Sequence, residues 1–278
     1  MGENMSWKNT IGRVAFLNCD PLFHSIDKKW RILSAPPSWL TGHILRRDCI
    51  LAPIPAADYA RHRDELILLP DIGICSKGEV GSVLLFSNKP LDQIDSVALP
   101  SDSATSVVLC KHLLKMKGYA PKYIQMGPDI ESMIQQCDAA LLIGDRALQA
   151  TKENKYKVVL DLGEEWFAQT SQPMVFGVFA ARKDTPIADV DAAYRVLLDN
   201  LVKFETQPKT RENVILSSSM HSQLSIGRLE QYFGEVFNRL DLEHINGLNT
   251  FLETVFSDQT QAEFISFKDQ RILLEQTI

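Results

Sequence analysis

Residues 96–118 read SVALPSDSATSVVLCKHLLKMKG, and this stretch indicates the fold class. Its first four residues are typical of a buried strand, and Ser103 stands where the cap of a following helix is expected. That helix is predicted to end at Lys117-Gly118, because glycine commonly follows the last helical turn. Its apolar face consists of Val107, Val108, Leu113 and Leu114. The stretch therefore predicts a strand, a short polar turn and a helix in succession.

The same alternation extends in both directions along the chain. Helical patterns at 39–45 and 129–136 stand between apolar runs that are typical of strands. Those runs are 11–17, 49–54, 83–87, 123–126, 139–143, 158–160 and 174–181. Strands that alternate with helices indicate βαβ units, so mostly parallel sheets are expected.

The pattern changes after Arg182, where no further convincing strand follows. Amphipathic helices are predicted over 187–204, 224–239 and 242–256. We expect an α/β protein of two doubly wound lobes, joined by a two-strand hinge and followed by a helical C-terminal segment. The predicted boundaries are 1–88 plus 180–278 for lobe I and 89–179 for lobe II, which is inserted into lobe I.

Charge and composition exclude several classes of partner. The chain has 29 basic and 35 acidic residues, a net charge of −6 and 45% hydrophobic residues. Nucleic acids and anionic membrane surfaces attract basic proteins, so neither is expected as a partner. No apolar run approaches the roughly 18 residues that a membrane-spanning helix needs. The composition is that of an ordinary globular protein, and it leaves the oligomeric state open.

The residue types that bind metals or form disulfides are dispersed along the chain. The five cysteines contain no C-x-x-C pair and the six histidines form no cluster, so neither a disulfide framework nor a metal site is expected. Residues 78–81 (GEVG) match neither a Walker loop nor a dinucleotide-binding motif. The polar N-terminal segment lacks the apolar core of a signal peptide, and a cytoplasmic location is expected.

Small polar residues at predicted helix starts are the first candidates for a binding site. Ser38 follows Pro36-Pro37, and Ser103, Thr105 and Ser106 occupy the turn between a strand and a helix. Backbone N–H groups and hydroxyls at a helix start bind anions without Lys or Arg. Ser103 alone is better explained as a helix cap, whereas Thr105 and Ser106 together exceed what a cap requires.

Further candidates lie beside predicted strands. Ser76 and Ser82 flank a glycine-rich loop next to the proposed crossing between the lobes, where they are either turn residues or part of a ligand site. Asn18 and Asp20 follow the first strand, and two residues apart on an extended chain they are expected to point the same way. The carboxyl ends of strands line the crevice of a doubly wound sheet, which makes Asn18 a candidate; an Asx turn before proline is the alternative explanation.

A series of short motifs resembles the chorismate dehydratase family of the futalosine pathway to menaquinone, over nearly the full length of the chain. The matching segments are 18–22 (NCDPL), 34–38 (SAPPS), 54–55 (IP), 58–60 (DYA), 69–71 (LPD), 76–86 (SKGEVGSVLLF), 103–106 (SATS), 142–145 (LIGD) and 161–166 (DLGEEW). Each motif is short, and their common order and spacing carry the resemblance.

The resemblance implies a type II periplasmic-binding-protein fold and a carbon–oxygen lyase (hydro-lyase). Such an enzyme eliminates water from chorismate to give 3-[(1-carboxyvinyl)oxy]benzoate, with no metal or organic cofactor. The family's asparagine falls on Asn18, and the hydroxyls that hold the substrate carboxylates fall on Ser82, Thr105 and Ser106. The candidate substrate-binding set is completed by Ser38, Ser76, Ser103, Gly144 and Asp145.

The chemistry of this elimination assigns expected roles to Asn18 and Asp20. Removing the C4 hydroxyl and the C3 hydrogen makes the ring aromatic, so the enzyme must mainly bind two carboxylates and ease the departure of hydroxide. Asn18 is neutral and is expected to donate to the leaving oxygen or to fix the ring. The enolpyruvyl carboxylate of the substrate is the expected base, and Asp20 is the alternative within the protein.

The sequence also departs from the family pattern and leaves two alternative functions open. Cys19-Asp20 replaces a Ser-Leu or Thr-Leu pair, and residues 171–176 (SQPMVF) replace Gly-Leu-Pro-Phe-Val-Phe. One alternative is the sister lyase that forms a dihydroxynaphthoate, which carries His-Glu where this chain has Gly144-Asp145. The other is a small-anion-binding protein of the same fold without catalytic activity.

Overall fold

Eleven strands form two sheets in a computed structural model that describes residues 7–257 and 260–267. The first sheet contains β1 (Thr10–Val14), β2 (Arg31–Ala35), β3 (Leu51–Pro55), β4 (Leu66–Ser76), β10 (Met174–Arg182) and β11 (Phe237–Leu240). The second contains β5 (Val83–Ser87), β6 (Ser96–Pro100), β7 (Lys122–Met126), β8 (Ala139–Ile143) and β9 (Lys157–Asp161). Their orders are β11-β4-β10-β3-β1-β2 and β7-β6-β8-β5-β9. The predicted class, two α/β lobes, is confirmed.

Helices connect and cover the strands. Those of the two lobes are α1 (Asp20–Phe23), α2 (Pro37–Leu45), α3 (Ala56–His62), α4 (Ala104–Met116), α5 (Ile130–Gln136), α6 (Asp145–Glu153) and α7 (Leu162–Thr170). The C-terminal part adds α8 (Ile187–Thr206), α9 (Pro208–Ser222), α10 (Ile226–Glu235) and α11 (Leu242–Phe256). A single turn of 3-10 helix, Leu17–Cys19, joins β1 to α1. None of the described helices is long and apolar enough to cross a membrane.

Both sheets are mixed, and the prediction of mostly parallel sheets is wrong. The βαβ strands pair in parallel, as in β1 with β2 and β6 with β7. β10 runs antiparallel to β3 and β4, and β5 runs antiparallel to β8 and β9. A parallel neighbour requires a long crossover that returns the chain to the same end of the sheet. β5 and β10 enter from the other sheet through short links, so no such crossover directs them.

The passage between the sheets differs from the predicted boundaries of the lobes. Residues 77–82 link β4 to β5, and residues 171–173 link α7 to β10. Strand pairing puts residues 83–87 in the second sheet and residues 174–179 in the first. The predicted boundaries assign 83–87 to lobe I and 174–179 to lobe II, which is the reverse. The residue boundaries of the two lobes stay a prediction, and the segments 1–6, 258–259 and 268–278 lie outside the described residues.

The C-terminal part contains a strand that the sequence analysis missed. β11 pairs antiparallel with β4, where a helix was predicted to continue to residue 239, and α9 was not predicted. β11 has only four residues and shows the buried–intermediate alternation of an edge strand. A strand this short carries too little periodicity to be distinguished from the end of an amphipathic helix.

The alternation of side chains along β5 separates two hydrophobic clusters. Leu84 and Phe86 pack into a small cluster with Ala98 and Met133 on one face of the second sheet. Leu85 points to the opposite face and joins the larger core. A strand buried on both faces reads as a continuous apolar run, which is why 83–87 was predicted correctly from the sequence.

Candidate active site

A cleft lies between the two sheets, at the ends of strands from both. The space in it that no protein atom fills is about 550 Å³ when the open solvent at its mouth is included. Its apolar wall includes Val14, Phe16, Ile54, Val83, Ile143 and Phe176. Polar groups reach it from the end of β1, from the link before β5, from the start of α4 and from the end of β8.

Asn18 enters the cleft from the 3-10 turn that ends β1. Its side chain is largely buried, with 9% of the residue exposed. The Oδ1 atom accepts no hydrogen bond from any described residue. A buried acceptor without a donor costs free energy, and a ligand that supplies the donor removes that cost. Asn18 is therefore the polar group in the cleft with the clearest requirement for a ligand.

The start of α4 presents three hydroxyl groups to the cleft. Ser103 is the N-cap residue but makes no side-chain capping bond, and Thr105 and Ser106 follow in the first turn. The Thr105 Oγ1 accepts the Ala57 N–H at 3.1 Å, so its own proton remains available for a ligand. Free N–H groups of the first helical turn point in the same direction. Hydroxyls and N–H groups arranged in this way are the kind of donors that bind anions without a basic side chain.

Ser82 and Gly144 meet at the cleft on the side of the second sheet. The Gly144 N–H donates to the Ser82 carbonyl at 2.7 Å. Gly144 has a φ of +58°, and a Cβ at this position would lie 2.6 Å from the Phe16 ring. Glycine permits both this backbone conformation and the close approach of the ring. Both predicted residues thus line the cleft, Gly144 through its backbone.

Asp20 lies outside the cleft, and the expectation that it points the same way as Asn18 is wrong. The chain is not extended here, because Leu17–Cys19 turns and α1 begins at Asp20. The Asp20 carboxylate accepts hydrogen bonds from the Arg13 guanidinium and the Ser218 hydroxyl. It lines a separate, charged cavity.

Ser38 and Ser76 are also absent from the lining of the cleft. The Ser38 N–H donates to the Asp102 carbonyl at 3.4 Å, a contact between α2 and the loop before α4. Ser76 is fully buried at the end of β4, where its hydroxyl donates to the Gly78 carbonyl at 3.2 Å. Both serines therefore support the surroundings of the cleft, and the turn explanation fits Ser76.

Asp145 lies behind the lining, at the first position of α6. Its carboxylate accepts the Leu17 N–H at 2.9 Å, so it contacts the residue just before Asn18. Burial raises the pKa of the Asp145 carboxyl from 3.8 to about 6, and the charge of Asp20 adds to this rise. The Leu17 N–H, His221 and Arg146 act in the opposite direction. The carboxylate is therefore directed at the backbone and not at the cleft.

The electrostatic character of the cleft is neutral. No ionisable side chain occurs among the described residues that line it. An ion pair between Arg146 and Asp102, 2.6 Å long, borders it, with the guanidinium 5.7 Å from the centre of the Phe16 ring. Within 7–257 and 260–267, no three His, Cys, Asp or Glu residues are grouped as metal ligands would be. Hydroxyl, amide and N–H donors are therefore the groups that can meet the charge of a ligand.

Several lining residues were missed by the sequence analysis. Pro53 and Pro55 lie in β3, at the centre of a sheet, where proline is unusual because it cannot donate to the ladder. That signal was readable from the sequence. Phe16 and Phe176 carry no such signal, because an aromatic residue beside a strand is usually part of the core.

Comparisons with known proteins identify the family. Residues 9–257 match the family model described as menaquinone biosynthesis. A chorismate dehydratase of Thermus thermophilus is 35% identical to this chain over 192 residues, which cover 63% of this chain and 70% of that protein. The chain belongs to this family of menaquinone biosynthesis. The family resemblance drawn from the short motifs is confirmed.

Solved structures place this family member among periplasmic-binding-protein folds. Protein AF1704 of Archaeoglobus fulgidus is 18% identical, with a TM-score of 0.71 over 89% of this chain and 96% of that chain. A Candida albicans protein described as having the generic periplasmic binding protein fold is 12% identical, with a TM-score of 0.61 over 94% and 98% of the two chains. At such identities the comparison establishes the fold alone, and the predicted fold is confirmed.

Proposed function

We propose that the protein is a chorismate dehydratase, a hydro-lyase that eliminates water from chorismate to give 3-[(1-carboxyvinyl)oxy]benzoate. The ring loses its C4 hydroxyl and its C3 hydrogen, which leave together as one water molecule, and the ring becomes aromatic. The observation that carries the proposal is the Asn18 carboxamide, buried and unpaired at Oδ1, in a cleft with no ionisable lining group. The similarity to a chorismate dehydratase supports the choice of substrate.

Binding of the two substrate carboxylates rests on neutral donors. The Ser103, Thr105 and Ser106 hydroxyls and the first N–H groups of α4 provide one anion site. Hydrogen bonds to a charged acceptor are each worth about 1.5–3 kcal/mol, so a few of them suffice to hold a carboxylate. Ser82 adds a further hydroxyl near the link between the sheets.

Asn18 acts on the C4 hydroxyl of the substrate. Its Oδ1 is an acceptor for that hydroxyl, and its Nδ2 is a donor to the oxygen as the C4–O bond breaks. A donor aimed at a developing negative charge typically contributes 10²–10³ in turnover, roughly 2.7–4 kcal/mol. A neutral amide suits this role because an acidic side chain beside a dianion would repel it.

The base in this proposal is the enolpyruvyl carboxylate of the substrate. The described lining holds no carboxylate, imidazole, amine or thiol that could take the C3 proton. Asp20, the alternative, is paired with Arg13 and Ser218 and lines a different cavity. The substrate carboxylate takes the C3 proton and passes it to the hydroxide that leaves C4, so one water molecule forms and the carboxylate is restored. The protein contributes orientation and the hydrogen bond from Asn18.

The direct test is to incubate the purified protein with chorismate and follow the aromatic product by absorbance and mass. We expect the wild-type protein to release one equivalent of water per chorismate. The Asn18→Ala variant should bind chorismate but convert it slowly. Chorismate that binds and is recovered unchanged with the wild-type protein would favour the anion-binding alternative. If the wild-type protein neither binds nor converts chorismate, chorismate is excluded as the substrate, and the sister lyase becomes the next candidate.

A further inference from the structure

Residues 144–146, at the start of α6, hold residues 16–17 from the other side of the cleft. The Asp145 carboxylate accepts the Leu17 N–H at 2.9 Å. The Phe16 ring packs against Gly144 so closely that a Cβ would overlap it, and the Arg146 guanidinium covers the same ring at 5.7 Å. Residues 144–146, which follow β8 of the second sheet, thus contact residues 16–17, which follow β1 of the first sheet.

This contact constrains the turn that carries Asn18. Leu17, Asn18 and Cys19 form one 3-10 turn, so the orientation of the Leu17 peptide sets the direction in which the Asn18 side chain leaves the backbone. The Leu17 N–H is in the first turn of that short helix, where N–H groups have no partner within the helix. Asp145 supplies the missing acceptor from outside.

We propose that Asp145 is a positioning residue, which aligns the Asn18 turn with the substrate only while α6 lies against it. The inference rests on the proposed function, because it assigns Asp145 a task through Asn18. Asp145 is not a substrate-binding residue in this arrangement, since its carboxylate is used by the Leu17 N–H and it is absent from the lining of the cleft. Joining the two sides of the cleft and orienting the catalytic amide become one event.

The expected size of the effect follows from the geometry. A misplacement of about 1 Å at a reacting group can reduce turnover by as much as 10²-fold. Removing one hydrogen bond loosens the turn without displacing it fully, because the Phe16 contacts remain. We therefore expect Asp145→Ala to lower kcat by roughly tenfold, and to change KM less than about twofold because the hydroxyls of α4 are untouched.

A double-mutant cycle with Asn18→Ala tests whether Asp145 acts through Asn18. If it does, Asp145→Ala costs less than about twofold in a protein that already lacks the Asn18 amide, and the two losses do not multiply. Asp145→Asn keeps an oxygen that can accept the Leu17 N–H, and we expect its turnover to stay within about threefold of wild type. Asp145→Ser, which suits a first helical turn but is too short to reach Leu17, replaces Asp145→Ala in the cycle should that variant fail to fold.

The matched control is Asp129→Ala. Asp129 caps α5 of the same sheet, accepting the Ser132 N–H at 2.9 Å, and it lies away from the cleft. The Asp129→Ala variant also loses a hydrogen bond between a carboxylate and an N–H group at a helix start, but the Asn18 turn is not involved. Turnover should therefore not change. The proposal is overturned if the losses of Asp145→Ala and Asn18→Ala multiply, or if Asp145→Asn is as impaired as Asp145→Ala.

These outcomes are separate from a failure of the proposed function. If wild-type protein does not convert chorismate, the function itself is wrong, and the variants are not needed to show it. If wild-type protein converts chorismate and Asp145→Ala keeps full turnover, the function stands and the positioning role alone is wrong. Product affinity, measured by calorimetry on the same variants, confirms that each of them retains the anion site.

Discussion

Two cavities open on opposite ends of the same short segment, and their chemistry differs. Asn18 lines a cleft without a single ionisable group among its described lining residues. Asp20, two residues later, lines a cavity that also contains Arg13, His24, Lys203 and His221. The cleft proposed to bind the substrate is therefore lined by neutral groups, whereas the charged side chains line the other cavity.

The reason lies in the different tasks of the two cavities. Neutral donors held at fixed positions can orient an anion through hydrogen-bond geometry, without a charged side chain. Beside the charged cavity, the Arg13 guanidinium and the buried Ser218 hydroxyl donate to the Asp20 carboxylate and fix the start of α1. The neutral cleft is proposed to hold the substrate. The contacts of Asp20 beside the charged cavity stabilise the segment that contains Asn18.

The largest expected effect is that of Asn18→Ala on turnover. Loss of a donor to the departing oxygen should lower kcat on chorismate by 10²–10³, roughly 2.7–4 kcal/mol, with little change in affinity. Steady-state assays together with calorimetric binding of chorismate measure both quantities. The control is Asn213→Ala in the charged cavity, which removes the same amide and should leave turnover unaltered. Equal losses in the two variants would erase the proposed distinction between the cavities.

Asp20→Asn should affect stability and not catalysis. The carboxylate is buried against Arg13 and Ser218, and hydrogen bonds of this kind to a charged group are worth about 1.5–3 kcal/mol. We expect urea unfolding to show a loss of that size, with kcat within about threefold of wild type. Asp184→Asn, in an exposed ion pair, is the control and should cost less than about 1 kcal/mol. A variant that binds chorismate but has no turnover would make Asp20 the base after all.

Ser106→Ala should weaken binding without abolishing turnover. It removes one hydroxyl donor from the start of α4, so affinity for the aromatic product should fall at least about tenfold, or about 1.4 kcal/mol. Isothermal calorimetry gives the affinity directly. Ser101→Ala, an exposed serine of the preceding loop, should bind as wild type does. Unchanged affinity in Ser106→Ala would move the anion site away from α4.

The smallest effect is the pH dependence of stability that Asp145 introduces. Burial raises the pKa of the Asp145 carboxyl to about 6, so its contribution to stability is fully present below its ordinary pKa of 3.8 and is lost as the pH rises through about 6. Asp145→Asn carries no charge to bury, and at pH 7 it should be more stable than wild type by roughly 1 kcal/mol. The rise of the Asp145 pKa from 3.8 to about 6 corresponds to about 3 kcal/mol. We expect a smaller effect because the side chain is partly exposed and water screens its charge.

The measurement compares the unfolding free energies of wild type and Asp145→Asn in urea at pH 4 and pH 7. The advantage of the variant should be clear at pH 7 and close to zero at pH 4, where the wild-type carboxyl is largely protonated. An advantage of the same size at both pH values would mean that the buried charge is not its origin.

Local pattern was sufficient for much of the fold and for part of the site. The strands at 83–87 and 139–143 lie as predicted, since each is a continuous apolar run bounded by turn residues. Ser103, Thr105 and Ser106 line the cleft because strand–turn–helix units place helix starts at one edge of a sheet. The family followed from the order of short motifs.

Contacts between distant segments were beyond such reasoning. The direction of β5 and β10, the pairing of β11 with β4, and the separation of Asn18 from Asp20 depend on which surface each segment meets. Asp145 was assigned to the substrate, yet it binds the backbone of Leu17, 128 positions earlier in the chain. The sequence by itself determined which residues end strands and begin helices, because those are local preferences of a few neighbouring residues. Only the tertiary structure decided which of these ends face the same cleft, because that depends on packing between segments far apart in the chain.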